Sequence, residues 1–409
     1  MESRLVIKFL AFLTLATTAL RVTPSPTRAS SLVWGGSDFA YYFTAFESYW
    51  RGLIAEPFSY GALREMMQIR YGLSTEVVMP IAYSPTAIWI LRPLEWASML
   101  IDPALAWNIL SLVVLAAVLL LTDVLRLHGL HLIGMSLLVS SAGTDALFLG
   151  QSSILGTALL LLLTLPAQTN RRSFVQGLAL VLLSIKPTYF CLGAGFCACA
   201  GNLRPIFFAL GPIALLAGAA TIQLPAHAWS AWLHNIHFYS TGLDPHYLAL
   251  GTQAVFRRTL TARTLFSEVV GYEQAWGVSR IIFFAAAGLW LAAGLALMQK
   301  TKTSCARASA WGQAGILSVL LLFSPYIGFY EETLGFVFLV LIARSIQTVG
   351  LDILGAALLL VLPAWQGPYP TLWLTLGKTI GTLWLLWRSS PFNFTAWMLT
   401  KRKAPAVIS

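Results

Sequence analysis

Apolar runs separated by short polar or basic segments follow one another along most of the chain. They fall at 5–21, 104–123, 130–146, 151–166, 173–186, 187–200, 206–224, 279–298, 311–323, 331–344, 351–363 and 371–387. Several approach or exceed the ~18 to 20 residues that a helix needs to cross a bilayer. The pattern predicts an all-α, polytopic transmembrane helical bundle of about twelve spans. One further apolar stretch, "MPIAYSPTAIWILRPLEWASMLI" at 79–101, is interrupted by Pro80, Pro85, Arg92 and Pro93. Counting it as a span would reverse everything downstream, so it is expected to be a broken or re-entrant segment lining a cavity, where irregular backbone is tolerated. A lipid-facing helix with a central Arg is the poorer option.

Composition agrees with the pattern. Of 409 residues, 57% are hydrophobic and 10% charged, against about 25% charged in a soluble domain. The formal charge of +10 raises the possibility of a nucleic-acid partner, but there is no soluble basic domain to bind one. Basic loops beside a membrane are the plainer reading, and no nucleic-acid partner is expected. Cys191, Cys197 and Cys199 share one apolar run and Cys305 lies in a basic loop. This arrangement has neither zinc spacing nor a disulfide framework, so the cysteines read as small buried apolar residues.

At the N-terminus, Arg4 and Lys8 precede "FLAFLTLATTAL", which would also suit a signal peptide. No close small-x-small cleavage site follows, and an uncleaved first helix is expected. With that end inside, Arg126, Arg171, Arg172, Arg204, Lys300, Lys302, Arg307, Arg344, Arg388, Lys401, Arg402 and Lys403 all fall on the cytoplasmic side in short segments. The chain then reads as one membrane domain over 1–409, with two long external segments, 22–103 and 225–278. Large loops on one side give a membrane protein an external working face.

Five short motifs lie along this frame: "SDFAYY" at 37–42, "YSPTAIWILRPL" at 83–94, "GQSSIL" at 150–155, "IKPTY" at 185–189 and "SPYIGFYEE" at 324–332. In this order, over nearly the whole chain, they resemble glycosyltransferase family 87, C-type (GT-C) membrane enzymes that use polyprenyl-phosphate sugars. The resemblance implies a hexosyltransferase, α-mannosyl by analogy with family members. The implied donor is a polyprenyl-phosphate sugar and the implied acceptor a lipid or glycan, in a bacterial cytoplasmic membrane with the site on the external, periplasmic face. Related C-type enzymes carry an essential acid in the first external loop, and Asp38 occupies that position. The resemblance also implies Tyr42 and Tyr83 as sugar or acceptor contacts. The chain departs from the family pattern at "YSPT", where consecutive prolines are commoner, and at Glu331, where many relatives have Asp.

The chemistry gives each residue a reason. A sugar on a lipid phosphate is already activated, so what is missing is a base for the acceptor hydroxyl. A carboxylate at the membrane-water boundary among aromatic walls suits that task. One acid suffices for inversion by direct displacement, unlike the paired carboxylates of retaining glycosidases. Asp38 is equally a good N-cap for the helix expected near Phe39, and Glu47 reads as a boundary or solvated acid.

Lys186 stands at an external turn where Pro187 breaks the helix. It suits a lipid phosphate as a point charge, or it snorkels to the interface. Arg257 and Arg258 form a second cationic locus for phosphate, or for anionic headgroups. Gln151 suits a sugar hydroxyl or an interhelical hydrogen bond. Tyr330, Glu331 and Glu332 open another helix, where acids suit its dipole, and Tyr330 and Glu331 are further sugar or acceptor candidates. His227, His234, His237 and His246 form no tight metal set, and neither metal nor cofactor is expected. Trp229, Trp232, Trp365 and Trp373 suit an interfacial belt.

No nucleotide-binding glycine loop or DxD-like pair is present, which argues against a nucleotide-sugar donor. A lipid or glycolipid transporter would share the apolar pattern but predicts internal repeats, and none is visible. A noncatalytic assembly subunit would need no external acid and no phosphate-binding cations.

Overall fold

The computed structural model describes residues 38–59, 61–62, 65, 81–122, 129–148, 150–166, 169–241, 272–300, 306–324, 329–346, 349–366 and 372–390, and the regular structure among them is entirely helical. The run expected at 5–21 lies outside these residues. Helix α1 (Asp38–Trp50) is followed, in the interrupted segment, by two short helices, α2 (Ala87–Ile90) and α3 (Arg92–Ala97), separated by Leu91. The remaining helices are α4 (Pro103–Leu121), α5 (Gly129–Ser136), α6 (Ser141–Phe148), α7 (Ser153–Leu163), α8 (Asn170–Leu183), α9 (Pro187–Cys199), α10 (Arg204–Gln223), α11 (Ala228–Thr241), α12 (Tyr272–Lys300), α13 (Ala306–Phe323), α14 (Gly335–Ser345), α15 (Leu351–Gln366) and α16 (Leu372–Arg388). A 3-10 turn over Leu137–Val139 joins α5 to α6, and another over Phe329–Leu334 leads into α14.

Helix ends follow local chemistry. The side chain of Asp102 accepts a hydrogen bond from the Leu105 N–H at 3.0 Å, with Pro103 in the first turn of α4, the expected N-cap arrangement. Thr169 caps α8 by accepting from the Arg172 N–H at 3.2 Å. Between α8 and α9 the chain must break, because Pro187 has no N–H to continue the ladder. Lys186 accordingly has an extended backbone, with φ −118° and ψ 106°.

Helix occupies every other run expected from the sequence. By length and composition, Pro103–Leu120, Arg204–Gln223 and Ala306–Phe323 qualify among the described residues. A fourth arises if Gly129–Val139 and Ser141–Leu147, bent by 48°, count as one span. The described residues thus give three or four candidate spans by this measure, beside the expectation of about twelve for the whole chain. The 11 residues of α7 rise only about 16 Å, roughly half the hydrocarbon thickness of about 30 Å.

Apolar exposure fits a lipid environment. On α10, Phe207, Leu215 and Ile222 all face outward, a pattern that water would penalise and lipid would not. By contrast, the apolar residues from Phe336 to Ile342 on α14 are buried throughout, which makes this helix a central element of the core. Among the cysteines, Cys197 and Cys199 are buried as expected, whereas Cys191 is exposed, because α9 turns that side away from its neighbours. Cys305 lies outside the described residues.

Candidate active site

The first motif is fixed by its aromatic residues. Phe39 stacks on Trp107 of α4, with ring centroids 5.0 Å apart, and the Tyr42 ring lies 4.5 Å from that of Tyr83. Asp38 opens α1, immediately before Phe39; its side chain is outside the described part of the structure. Glu47, expected at a boundary or in solvent, is instead buried and pairs with Arg51 at 2.8 Å. The helix turns its acid inward, one turn away from an arginine that reaches back over it.

The second motif is tied to the fourth. Ser84 donates its backbone N–H to the Ile185 carbonyl at 3.0 Å and its hydroxyl to the Ser184 carbonyl at 2.8 Å. The Ser84 and Thr86 hydroxyls are 2.6 Å apart. The "YSPT" loop is therefore bound to the turn that presents Lys186. The two long connecting segments also meet through α11. Trp232 donates to the Ala82 carbonyl at 3.3 Å, Asn235 donates to the carbonyls of Phe58 and Ile81 at 3.2 and 3.4 Å, and His227 pairs with Glu56 at 2.7 Å. His234 lies on an exposed face of α11, and the side chain of His237 and all of His246 lie outside the described residues, as do Arg257 and Arg258.

The third motif approaches from the other side. Gly150, at φ 61°, adopts the left-handed conformation that glycine tolerates best. This lets the Gln151 N–H reach the Ala146 carbonyl at 2.8 Å and turns the chain into α7. Gln151 is buried. One turn into α7, Gly156 leaves room for Tyr189, since a Cβ there would lie 2.5 Å from the Tyr189 ring.

Lys186 and Glu331, separate candidates in the sequence, form an ion pair. Tyr189 donates its hydroxyl to the same Glu331 Oε1 at 3.1 Å, and the Lys186 ammonium lies 5.0 Å from the centroid of the Tyr189 ring, within cation–π range. The Tyr330 side chain is outside the described residues.

The next acid has a parallel arrangement that sequence reasoning missed. Glu332 pairs with Lys378 of α16, and Lys378 also donates to the Leu321 carbonyl at 3.1 Å. A signal was available, since a lysine in the middle of the 371–387 apolar run is costly unless it has a partner.

A prediction follows from the Gly156 contact. Gly156→Ala forces the Tyr189 ring aside and with it the hydroxyl that holds Glu331. It is expected to cost about 1–3 kcal/mol as an overpacking substitution and to lower activity as well, as measured by thermal unfolding in detergent beside an activity assay.

The arrangement thus joins the "YSPT" loop to the Lys186 turn, α7 and the 3-10 turn to that turn through Tyr189, and α1 to the "YSPT" loop through Tyr42 and Tyr83. Glycosyltransferase family 87 matches residues 81–325, more than half of the chain, and the chain belongs to that family and is a glycosyltransferase. It therefore acts with a sugar donor and an acceptor. No curated protein and no solved structure matches it. Asp38, Glu331 and Glu332 lie outside the matched stretch, whereas Tyr83, Gln151 and Lys186 lie within it.

Proposed function

We propose that this membrane glycosyltransferase transfers a hexose, mannose by family analogy, from a polyprenyl-phosphate donor to a lipid or glycan acceptor on the external face. The membrane is taken to be a bacterial cytoplasmic membrane. The observation that carries this reading is the lysine at the break between α8 and α9, held among Tyr189, Glu331 and the "YSPT" loop. A phosphate needs a cation and hydroxyl donors, and a sugar needs carboxylate and aromatic neighbours. These groups stand together here.

In the reaction, the acceptor oxygen forms a bond to the anomeric carbon as the bond from that carbon to the phosphate oxygen breaks. The acceptor proton passes to Asp38, and the polyprenyl phosphate leaves with the electron pair. Lys186 binds the phosphate, with Arg257 and Arg258 as a second cationic locus. Tyr42, Tyr83, Gln151, Tyr330 and Glu331 contact sugar or acceptor. Displacement from the opposite side inverts the anomeric centre.

The sidedness draws support from charge. Arg344 donates to the Thr164 carbonyl at 2.7 Å and to its hydroxyl at 2.9 Å, at the end of α7 opposite Ser152. Arg171 and Arg172 likewise sit at the end of α8 opposite Lys186. By the positive-inside rule, the arginine ends belong to the cytoplasm and the Lys186 end to the outside. In a background lacking native cysteines, single cysteines near Asp38 and Pro245 are expected to react with an impermeant maleimide in intact cells. Those near Arg172 and Lys302 are expected to react only after permeabilisation. Labelling near Asp38 and Arg172 from the same side overturns this orientation.

Lys186→Met tests the phosphate assignment. Loss of a charged hydrogen bond worth about 1.5–3 kcal/mol corresponds to roughly a tenfold to hundredfold weaker use of the donor. The expected result is a higher donor KM in protein whose unfolding in detergent remains cooperative. Unchanged donor dependence assigns Lys186 to its ion pair with Glu331 as a structural contact alone.

A further inference from the structure

Two consecutive acids, Glu331 and Glu332, each face a lysine from another helix, yet the two pairs differ in access. The Lys378 side chain is 0% exposed and that of Glu332 3%, so this pair is sealed in the core. The Glu331 side chain is 2% exposed, but that of Lys186 is 16% exposed and borders a small space together with Ser152, Gly156 and Tyr189. The first pair is a fixed strut, and the second is open to exchange.

The donors around Glu331 are those that a phosphate would use. Its Oε1 takes the Lys186 ammonium and the Tyr189 hydroxyl. A candidate third donor is Ser152, a residue that borders the same space and whose buried hydroxyl has no hydrogen-bond partner among the described residues. A buried hydroxyl without a partner is costly. The space beside Lys186 is about 10 Å³, and a cavity of about that size holds one water. A phosphate does not fit in this space while Glu331 occupies Lys186 and Tyr189. To bind Lys186 and Tyr189 together from this space it takes the place of the carboxylate.

We infer that Glu331 is a built-in competitor of the donor phosphate: the phosphate displaces it from Lys186 and Tyr189 and takes the Ser152 hydroxyl as a third donor, and the carboxylate later returns to expel the product. The inference rests on the polyprenyl-phosphate reading given above. Its logic is electrostatic. The sugar donor is a phosphodiester with one negative charge, whereas the polyprenyl phosphate left after transfer is a monoester carrying about −1.5 to −2 at neutral pH. Lys186 alone would hold the product more tightly than the donor. A carboxylate on the same chain, anchored beside the sealed Glu332–Lys378 pair, competes at high effective concentration and restores release. Once displaced, Glu331 lies next to the anomeric end of the donor, within reach of the sugar hydroxyls.

The test measures binding of a polyprenyl monophosphate to purified full-length protein in detergent. Glu331→Gln removes the competing charge, and its Kd for the monophosphate is expected to fall about tenfold. Lys186→Met is expected to raise Kd by a factor of ten or more, and Ser152→Ala by a smaller factor. Because Glu331→Gln leaves Lys186 without its carboxylate, a second measurement accompanies the first. Millimolar inorganic phosphate is expected to raise the melting temperature of Glu331→Gln by several degrees more than that of the wild type or of the Lys186→Met/Glu331→Gln double variant. Binding by the wild type that is unchanged or weakened in Glu331→Gln, or a Glu331→Gln protein that gains no more from phosphate than the wild type, overturns the inference. No binding by the wild type or any variant instead overturns the polyprenyl-phosphate reading on which it rests.

Discussion

Asp38→Asn is expected to fold like the wild type and to lose sugar transfer by at least about 10²-fold, the usual cost of removing a general base. Asn keeps the shape of Asp and caps a helix about as well, and what it loses is the proton acceptor. The helix that Asp38 opens is secured elsewhere, by the stacking of Phe39 on Trp107 and the contact of Tyr42 with Tyr83. Losing the carboxylate's interaction with the helix dipole should therefore cost only about 0.3–1 kcal/mol. If Asp38 were merely a cap, the order across substitutions would differ, with Asp38→Asn nearly silent and Asp38→Ala less stable. Transfer assays paired with thermal unfolding of both variants separate the two roles, and near-normal turnover by Asp38→Asn would end the catalytic assignment and make Glu331 the next acid to test.

The second large effect concerns stability. Lys378→Met strands Glu332 without its cation inside the protein and is expected to cost about 3–5 kcal/mol, as for other broken buried ion pairs. The double variant Lys378→Met/Glu332→Gln removes both charges and should recover most of that loss, since a buried pair replaced as a unit is often nearly neutral. Denaturation in detergent measures both. A Lys378→Met protein as stable as the wild type would mean that the pair contributes nothing, and would remove the strut beside which Glu331 is held.

Much of the helical framework was legible in the sequence because its causes are local. Pro187 marks the break between α8 and α9, and the prolines and Arg92 mark 79–101 as an interrupted segment, which holds the short helices α2 and α3. The number of crossings was less legible, because an apolar run does not reveal whether it holds a full-length helix, as α4 does, or a short one such as α7 that lies against other protein.

The candidate site was legible as a set of motifs but not as a set of contacts. Lys186 and Glu331 were both candidates, yet their pairing spans 145 residues and depends on how α9 and the 3-10 turn pack. The same holds for Lys378, whose acid lies 46 residues earlier in the chain. Glu47 was misplaced for a related reason: an acid four residues from an arginine fits either a solvated face or a buried one, and the packing of α1 decides which.

The central claim is that the sugar arrives on a polyprenyl phosphate. The direct measurement gives purified protein radiolabelled mannose in two forms, polyprenyl-phosphate mannose and a nucleotide-linked mannose, each with bacterial membrane lipid extract as acceptor. The account predicts that label moves to lipid or glycan product from the polyprenyl phosphate alone, with inverted anomeric configuration. Transfer from the nucleotide sugar, or retention of configuration, would contradict it.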